Sequence, residues 1–485
     1  MKILLINPSG GTKQEYGALS KAGTELPQLG LAAVATALRS NGYEVRIVDF
    51  HMEGLTTERL LDIIKDGQYG LVGFSVYITS ASKARELSKR IKEDCPHVTI
   101  CVGGPQVTLA PNNFYQDCID YVFIGEADYS IVELLDFLKT GNGYPNIPGV
   151  LYNDGSSLKG NRRINLVADL DKLPLIDLDK FYDISNYYPP IYQKGKRIIN
   201  IVGSRGCPFK CSFCAAAQVN GRKLRQMSVT RFLEYIELYT NKGYDSFMFY
   251  DDTFTVDRKR VIQIAKEIIK RKLKISWNCW SRVDCIDLEA LAYMKEAGCY
   301  LVVFGCESMN DKTLKILEKG FTAEQSLRGI ELIKKAGLLA VSSFMIGLPG
   351  ETGEDILNTI KIVNNTRLDI AVWPIFEPYQ GTPIYEVCKK EGRWISDSRF
   401  KNIIMAEQDS IWEPNTISRE QIEKLARHAF RSFYFRPYFA VSFYKIFTKL
   451  PLQRKMRFVN SAFDYFVSQN LSFCSKPYPQ GSRYR

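Results

Sequence analysis

The chain has 485 residues, 45% hydrophobic and 24% charged, the balance of an ordinary globular protein and not of a disordered, collagenous or disulfide-framework one. Its 64 lysines and arginines against 53 acidic residues leave a net charge of +11, a mild excess that suits anionic ligands or a membrane surface without demanding nucleic acid. The length calls for two or three folding units, since single domains usually run to about 100–200 residues.

Short runs rich in Val and Ile at residues 2–6, 44–48, 70–75, 98–102 and 120–124 alternate with helical spacing at 29–41 and 81–94, closed by Gly42 and Pro96. That alternation predicts a doubly wound parallel sheet over 1–145. Residues 146–195, rich in Pro, Gly, Asn and Tyr, read as a linker segment. A second alternation, with strands expected at 198–202, 246–250, 275–279, 301–304, 341–346 and 370–374, predicts a partial (β/α)6 barrel over 196–400. Its chemistry would sit at the C-terminal strand ends. Residues 401–485 read as a helical, basic and aromatic C-terminal region. The fold class is α/β. The opening MKILLINPSGG is too short an apolar run for a signal peptide, and no stretch of about 18 apolar residues occurs, so the expected place is the cytoplasm, with the membrane periphery as a further option.

Twelve cysteines in a cytoplasmic chain are not expected to pair as disulfides. Three of them, Cys207, Cys211 and Cys214, fall within eight residues directly after an expected strand. The spacing C-x3-C-x2-C offers three corners for a [4Fe–4S] cube and leaves one iron open. A zinc knuckle completed by a distant Cys, or three reduced thiols, are the alternatives; with only His51, His97 and His428 in the chain, a His-rich zinc site is improbable.

The three-Cys loop, with Phe213 just before its last Cys, resembles the radical S-adenosylmethionine (SAM) superfamily. The resemblance implies that the open iron takes the amino and carboxylate groups of SAM, and that reductive cleavage of SAM gives a 5′-deoxyadenosyl radical for hydrogen abstraction. It also implies a reducing partner such as flavodoxin or ferredoxin. Asp251 and Asp252, at the end of the second barrel strand, resemble the segment that receives the SAM amino group; two carboxylates there also suit a helix cap. Arg282, ending the third strand, is expected at the SAM carboxylate or in a surface ion pair. Glu307 resembles the acidic residue near the ribose, with a solvated loop Glu as the plainer reading. Gly347, in Gly-Leu-Pro-Gly, resembles the strand end beneath adenine, where a missing side chain permits close approach.

The first 145 residues lack a G-x-G-x-x-G dinucleotide fingerprint after the first strand. Pro27-Gln28-Leu29-Gly30-Leu31, Gly73-Phe74-Ser75, Gly103-Gly104-Pro105 and Gly125-Glu126 instead resemble the cobalamin-binding domain that precedes many radical SAM domains, so the resemblance covers residues 1–400. It implies corrinoid contacts from Asn7, Pro8, Ser75, Tyr77, Gly103, Gly104, Gly125 and Glu126. Two features depart from that pattern. Gln106-Val107 stands where a His and a small residue are usual, and His51 follows the second strand and not the first. A cobalamin held without a protein His, with Tyr77 facing the cobalt, is therefore expected. Cys95, Cys101 and Cys118 sit among apolar neighbours and read as free thiols, not a second cluster.

The expected activity is that of a cobalamin-dependent radical SAM enzyme, with methyl transfer to an unactivated carbon foremost. A radical cyclase or ring-rearranging enzyme on the same scaffold and a methylthiotransferase are enzyme alternatives; a zinc-stabilised RNA-binding module is the alternative of another class. The substrate is expected to be a small or lipid-like molecule, and no nucleic acid is expected. Interleaved aromatics and cations from Arg427 to Lys449 suit packing on the barrel or contact with a membrane surface.

Overall fold

The computed structural model describes residues 1–9, 23–141, 143–190, 192–395, 411–457 and 459–460. Its first sheet holds β1 (Lys2–Asn7), β2 (Glu44–Asp49), β3 (Tyr69–Ser75), β4 (Thr99–Gly103), β5 (Tyr121–Phe123), β6 (Val150–Asn153) and β7 (Leu158–Gly160), in the order β2-β1-β3-β4-β5-β6-β7. β1 to β5 pair in parallel. Alternate residues of β1 enter opposite cores: Ile3 and Leu5 pack with Leu31 and Leu134, and Leu4 and Ile6 with Leu60 and Leu87. Burial on both faces makes such a strand a continuous apolar run instead of an alternating one.

The segment expected to be a linker does more than connect. β6 and β7 pair antiparallel to β5 and to each other, so the sheet runs on to Gly160, past the expected boundary at 145. These strands are only four and three residues long and partly exposed, which hides them among turn residues.

The second sheet is parallel throughout and in chain order: β8 (Ile198–Ile201), β9 (Ser246–Phe249), β10 (Ser276–Ser281), β11 (Cys299–Glu307), β12 (Leu339–Phe344) and β13 (Ile370–Val372). β8 and β13 are its edges, so the barrel is partial. Between strands the helices start on side-chain caps, among them Ser228, Asp257, Thr322 and Thr352, which satisfy first-turn N–H groups. In the C-terminal region, helix Arg419–Tyr434 packs on the barrel through Ile422, Ala429 and Phe433. No helix among the described residues is long and apolar enough to cross a membrane.

The two sheets meet at their C-terminal strand ends through buried ion pairs. Arg205 makes two hydrogen bonds to Asp128, of 2.9 and 3.0 Å, and Arg225 makes two to Glu126, of 2.9 and 2.7 Å. Arg205 also reaches Glu126 at 3.2 Å, and the Val167 N–H donates to the same carboxylate. Removing one partner of such a pair strands a buried charge, at a cost of about 3–5 kcal/mol. Arg225→Leu is therefore expected to lower the unfolding free energy by that amount, read from a denaturant titration. The joint variant with Glu126→Leu should recover much of the loss; no recovery would show that the two side chains act separately.

Candidate active site

The cysteine loop leaves β8 through a tight turn. Gly206 lies at φ +92°, and a side chain there would meet the Lys223 carbonyl oxygen at 2.4 Å. Cys207 N–H donates to Gly221 O at 3.1 Å, while Ser212 is pinned by its N–H to Leu317 O and its hydroxyl to Ile316 O, each at 3.0 Å. Cys207, Cys211 and Cys214 are half-buried free thiols, and Phe213 between them packs against Leu317, Leu348 and Trp412. Burial pushes the Cys214 thiol up to about 11 and that of Cys207 upward. Bare thiolates at Cys207 and Cys214 are disfavoured, so a bound cation would be needed to take up their charge. Among the described residues no three His, Cys, Asp or Glu side chains stand close enough to share one metal ion.

The expected SAM residues fall into two groups. Asp251 is buried, accepting the Ser204 hydroxyl and the Gly203 N–H at 3.3 Å, so it braces the chain entering the cysteine loop. Its neighbour Asp252 faces the other way, into the cavity described below, and accepts the Asn220 amide at 3.1 Å. Burial raises both carboxyls, with the Arg260 charge opposing this at Asp251 and the Asn220 hydrogen bond opposing it at Asp252. Glu307 ends β11 at φ +67°, accepting Ser343 Oγ at 2.9 Å with Lys319 Nζ at 3.5 Å. A left-handed backbone is uncommon for a residue other than glycine and marks a site where local geometry is imposed.

Arg282 is 6% exposed and is not a surface ion pair. Asp284 holds its guanidinium with two bonds of 3.0 Å, Phe209 stacks on it at 3.7 Å, and its Nη1 donates to Cys211 Sγ at 3.1 Å. Gly347 does permit close approach, at φ +83°, but the group that approaches is Ile422 of the C-terminal region, 2.7 Å from where a side chain would begin. Long-range packing of this kind leaves no local sequence signal.

Between the strand ends of the two sheets lies a largely apolar cavity of about 470 Å³. Ser75, Tyr77, Gly103, Gly104, Gly125 and Glu126 line it from the first sheet, and Ala215, Ala216, Asn220, Tyr250 and Asp252 from the barrel side. Ala215 directly follows Cys214, so the cavity begins where the cysteine loop ends. Asn7 and Pro8, expected at this surface, are buried outside it; the Asn7 amide donates to Asp49 at 2.9 Å and accepts from Gln28 at 2.7 Å. His51 is exposed in a separate hollow with Phe50 and Lys83. The glycines also differ from expectation. A side chain at Gly104 would meet the Val76 backbone at 2.8 Å, and one at Gly125 would meet Ile164 and Asn165, so both serve the turns themselves. Gly30 is the opposite case: it lines the cavity, and a side chain there would enter open space.

Comparison with known proteins gives this arrangement its place. Residues 201–363 match the radical SAM superfamily and residues 17–135 the B12 binding domain. An uncharacterized methyltransferase of Pyrococcus horikoshii is 33% identical over 445 residues, covering 90% of this chain and 93% of that one. The chain belongs to the radical SAM superfamily, in the group that carries a B12-binding domain. The anaerobic magnesium-protoporphyrin IX monomethyl ester cyclase of Cereibacter sphaeroides is 24% identical over 448 residues, covering 90% of this chain and 71% of that one. The radical SAM methyltransferase TsrM from Kitasatospora setae, solved with cobalamin and a [4Fe–4S] cluster bound, shares the fold, with a TM-score of 0.68 at 18% identity over 82% of this chain and 81% of that one.

Three expectations follow for this radical SAM protein. Gly30→Phe should lower bound cobalamin while leaving the denaturant midpoint unchanged, whereas Gly104→Ala should cost about 1–3 kcal/mol of stability through backbone strain. Full cobalamin content in Gly30→Phe, read from its visible absorbance, would remove the corrinoid from this cavity. Arg282→Leu should shift the cluster's reduction potential to more negative values in a SAM-free titration followed by electron paramagnetic resonance, because an N–H···S bond and a nearby cation favour the reduced cluster.

Proposed function

We propose that this enzyme transfers a methyl group to an unactivated carbon of a small or lipid-like substrate. The observation that carries the reading is the shared cavity: loops of the B12-binding domain and the residues following Cys214 line the same space. The cofactors of this family group are a [4Fe–4S] cluster, SAM and cobalamin, and together they supply radical hydrogen abstraction and a methyl donor. Cys207, Cys211 and Cys214 hold the cluster. Asp252, Glu307 and Arg282 are the side chains that meet SAM or its cluster, and Asp251 acts at one remove by fixing Ser204. Phe213 packs against Trp412 and Gly347 against Ile422, each bracing the loop that carries it. Ser75, Tyr77, Gly103 and Gly30 would hold the corrinoid, and no His is among the described residues that line this cavity.

The apolar walls keep water from a reactive intermediate, and a small reducing protein such as a flavodoxin or ferredoxin supplies electrons. The C-terminal region adds contact with a membrane surface. A radical cyclase is the second reading, supported by the full-length likeness to the magnesium-protoporphyrin ester cyclase.

Products formed from SAM by anaerobically reconstituted, reduced enzyme separate the two. Methyl transfer predicts release of S-adenosylhomocysteine, dependent on bound cobalamin and lost in Gly30→Phe. Release of 5′-deoxyadenosine with no S-adenosylhomocysteine under any condition would favour the cyclase.

A further inference from the structure

The last two described helices expose apolar residues on their outward side. In helix Pro437–Phe447 the inward positions are Phe439, Ser442, Phe443 and Ile446, with Ser442 donating to Asp369 at 2.8 Å. Its outward positions should be polar in a helix that faces water. They hold Ala440, Val441 and Tyr444, the last two 49% and 69% exposed, next to Lys445.

The following helical residues, 452–457, are turned inside out. Arg454 and Arg457 point inward, donating to backbone carbonyls of Gln193 and Gly195 and of Pro189 and Gly23. Leu452 and Met456 point outward, 74% and 54% exposed, and Val459 continues the same stripe at 50%. Phe435, at the head of the first helix, is 78% exposed.

Charge is equally one-sided. Residues 424–463 contain nine lysines and arginines and no aspartate or glutamate. Lys445 and Lys449 are exposed and form no ion pair among the described residues. An outward face that is apolar, fringed by lysines and free of carboxylates matches an interfacial surface, where side chains of the Leu, Met and Tyr type enter the headgroup boundary and lysines meet anionic lipid.

We propose that the outward face of residues 435–460 docks on a membrane surface bearing anionic headgroups. This rests on the membrane contact assigned above to the C-terminal region, and it names the face and the lipid chemistry. No described residue of 435–460 lines the site cavity, so docking and turnover are separable.

The test is co-sedimentation of the full-length, cluster-loaded protein with phosphatidylcholine vesicles, with and without phosphatidylglycerol. Binding is expected only when phosphatidylglycerol is present and should fall with salt. Lys445→Gln and Lys449→Gln should each weaken it roughly fivefold, as a loss of about 1 kcal/mol per lysine implies. Leu452→Ser with Met456→Ser should abolish it while iron content stays unchanged, since both side chains are exposed. No binding to either vesicle overturns the docking face and the membrane contact together. Equal binding to both vesicles overturns the anionic-headgroup assignment and leaves membrane contact standing. A dimer in sedimentation velocity that dissociates in Leu452→Ser overturns the proposal in favour of a second copy of the chain. Release of S-adenosylhomocysteine in solution is independent of every one of these outcomes.

Discussion

Two arginines of the barrel, Arg205 and Arg225, grip two carboxylates of the first sheet, Glu126 and Asp128, and the rest of the site depends on that grip. All four side chains are largely buried, so their desolvation is expensive and is offset only by near-complete pairing. Arg225 also donates to the carbonyls of Val167 and Asn220, and the Val167 N–H completes Glu126. The network thus ties together the strand-end turn of the first domain, the connecting segment and the chain that carries the cysteines. Without it, the strand ends of the two sheets would have no fixed separation, and the cavity between them would have no fixed size.

The same residues explain why the cysteine loop is rigid before anything binds to it. Arg205 immediately precedes Gly206 and Cys207, so one end of the loop is anchored to the first domain. Asp251 holds Ser204 and Gly203 from the barrel side, and the backbone at residues 316 and 317 holds Ser212. Preorganisation at three points means that little ordering remains when a cluster is bound. Arg282, clamped by Asp284 and stacked on Phe209, then presents a fixed positive charge to Cys211.

Much of this was legible in the sequence, for a physical reason. Eleven strands, five in the first sheet and six in the second, came from apolar runs, because a parallel strand buried on both faces needs one. The cysteine spacing declared its loop because a cluster requires several thiols within a short reach. What escaped were features set by distant partners. β6 and β7 are short antiparallel strands, buried at one end and more exposed at the other. Asp251 and Asp252 are adjacent and chemically alike, and only the course of the loop after β9 sends one into the core and the other into the cavity. Gly104 and Gly347 looked like cradles for a ligand, yet their neighbours are the Val76 backbone and Ile422. Arg205 and Glu126 lay in plain view beside recognisable motifs, but a partnership across 79 residues leaves no periodicity to read.

The division of polar groups around the cavity carries the argument one step further. On the first-domain side, the carboxylates of Glu126 and Asp128 are consumed by the arginines, leaving Ser75 and Tyr77 among glycines and apolar side chains. On the barrel side, Asp252 is held by Asn220, and the Tyr250 ring lies 4.2 Å from that of Trp280. Charge inside the cavity is therefore neutralised by protein partners or sits at the end nearest the cysteine loop. A largely apolar lining of this kind disfavours water around a reactive intermediate, as the proposed chemistry requires. The buried ion pairs that fix the distance between the two sheets thus also strip the first-domain side of that space of free charge.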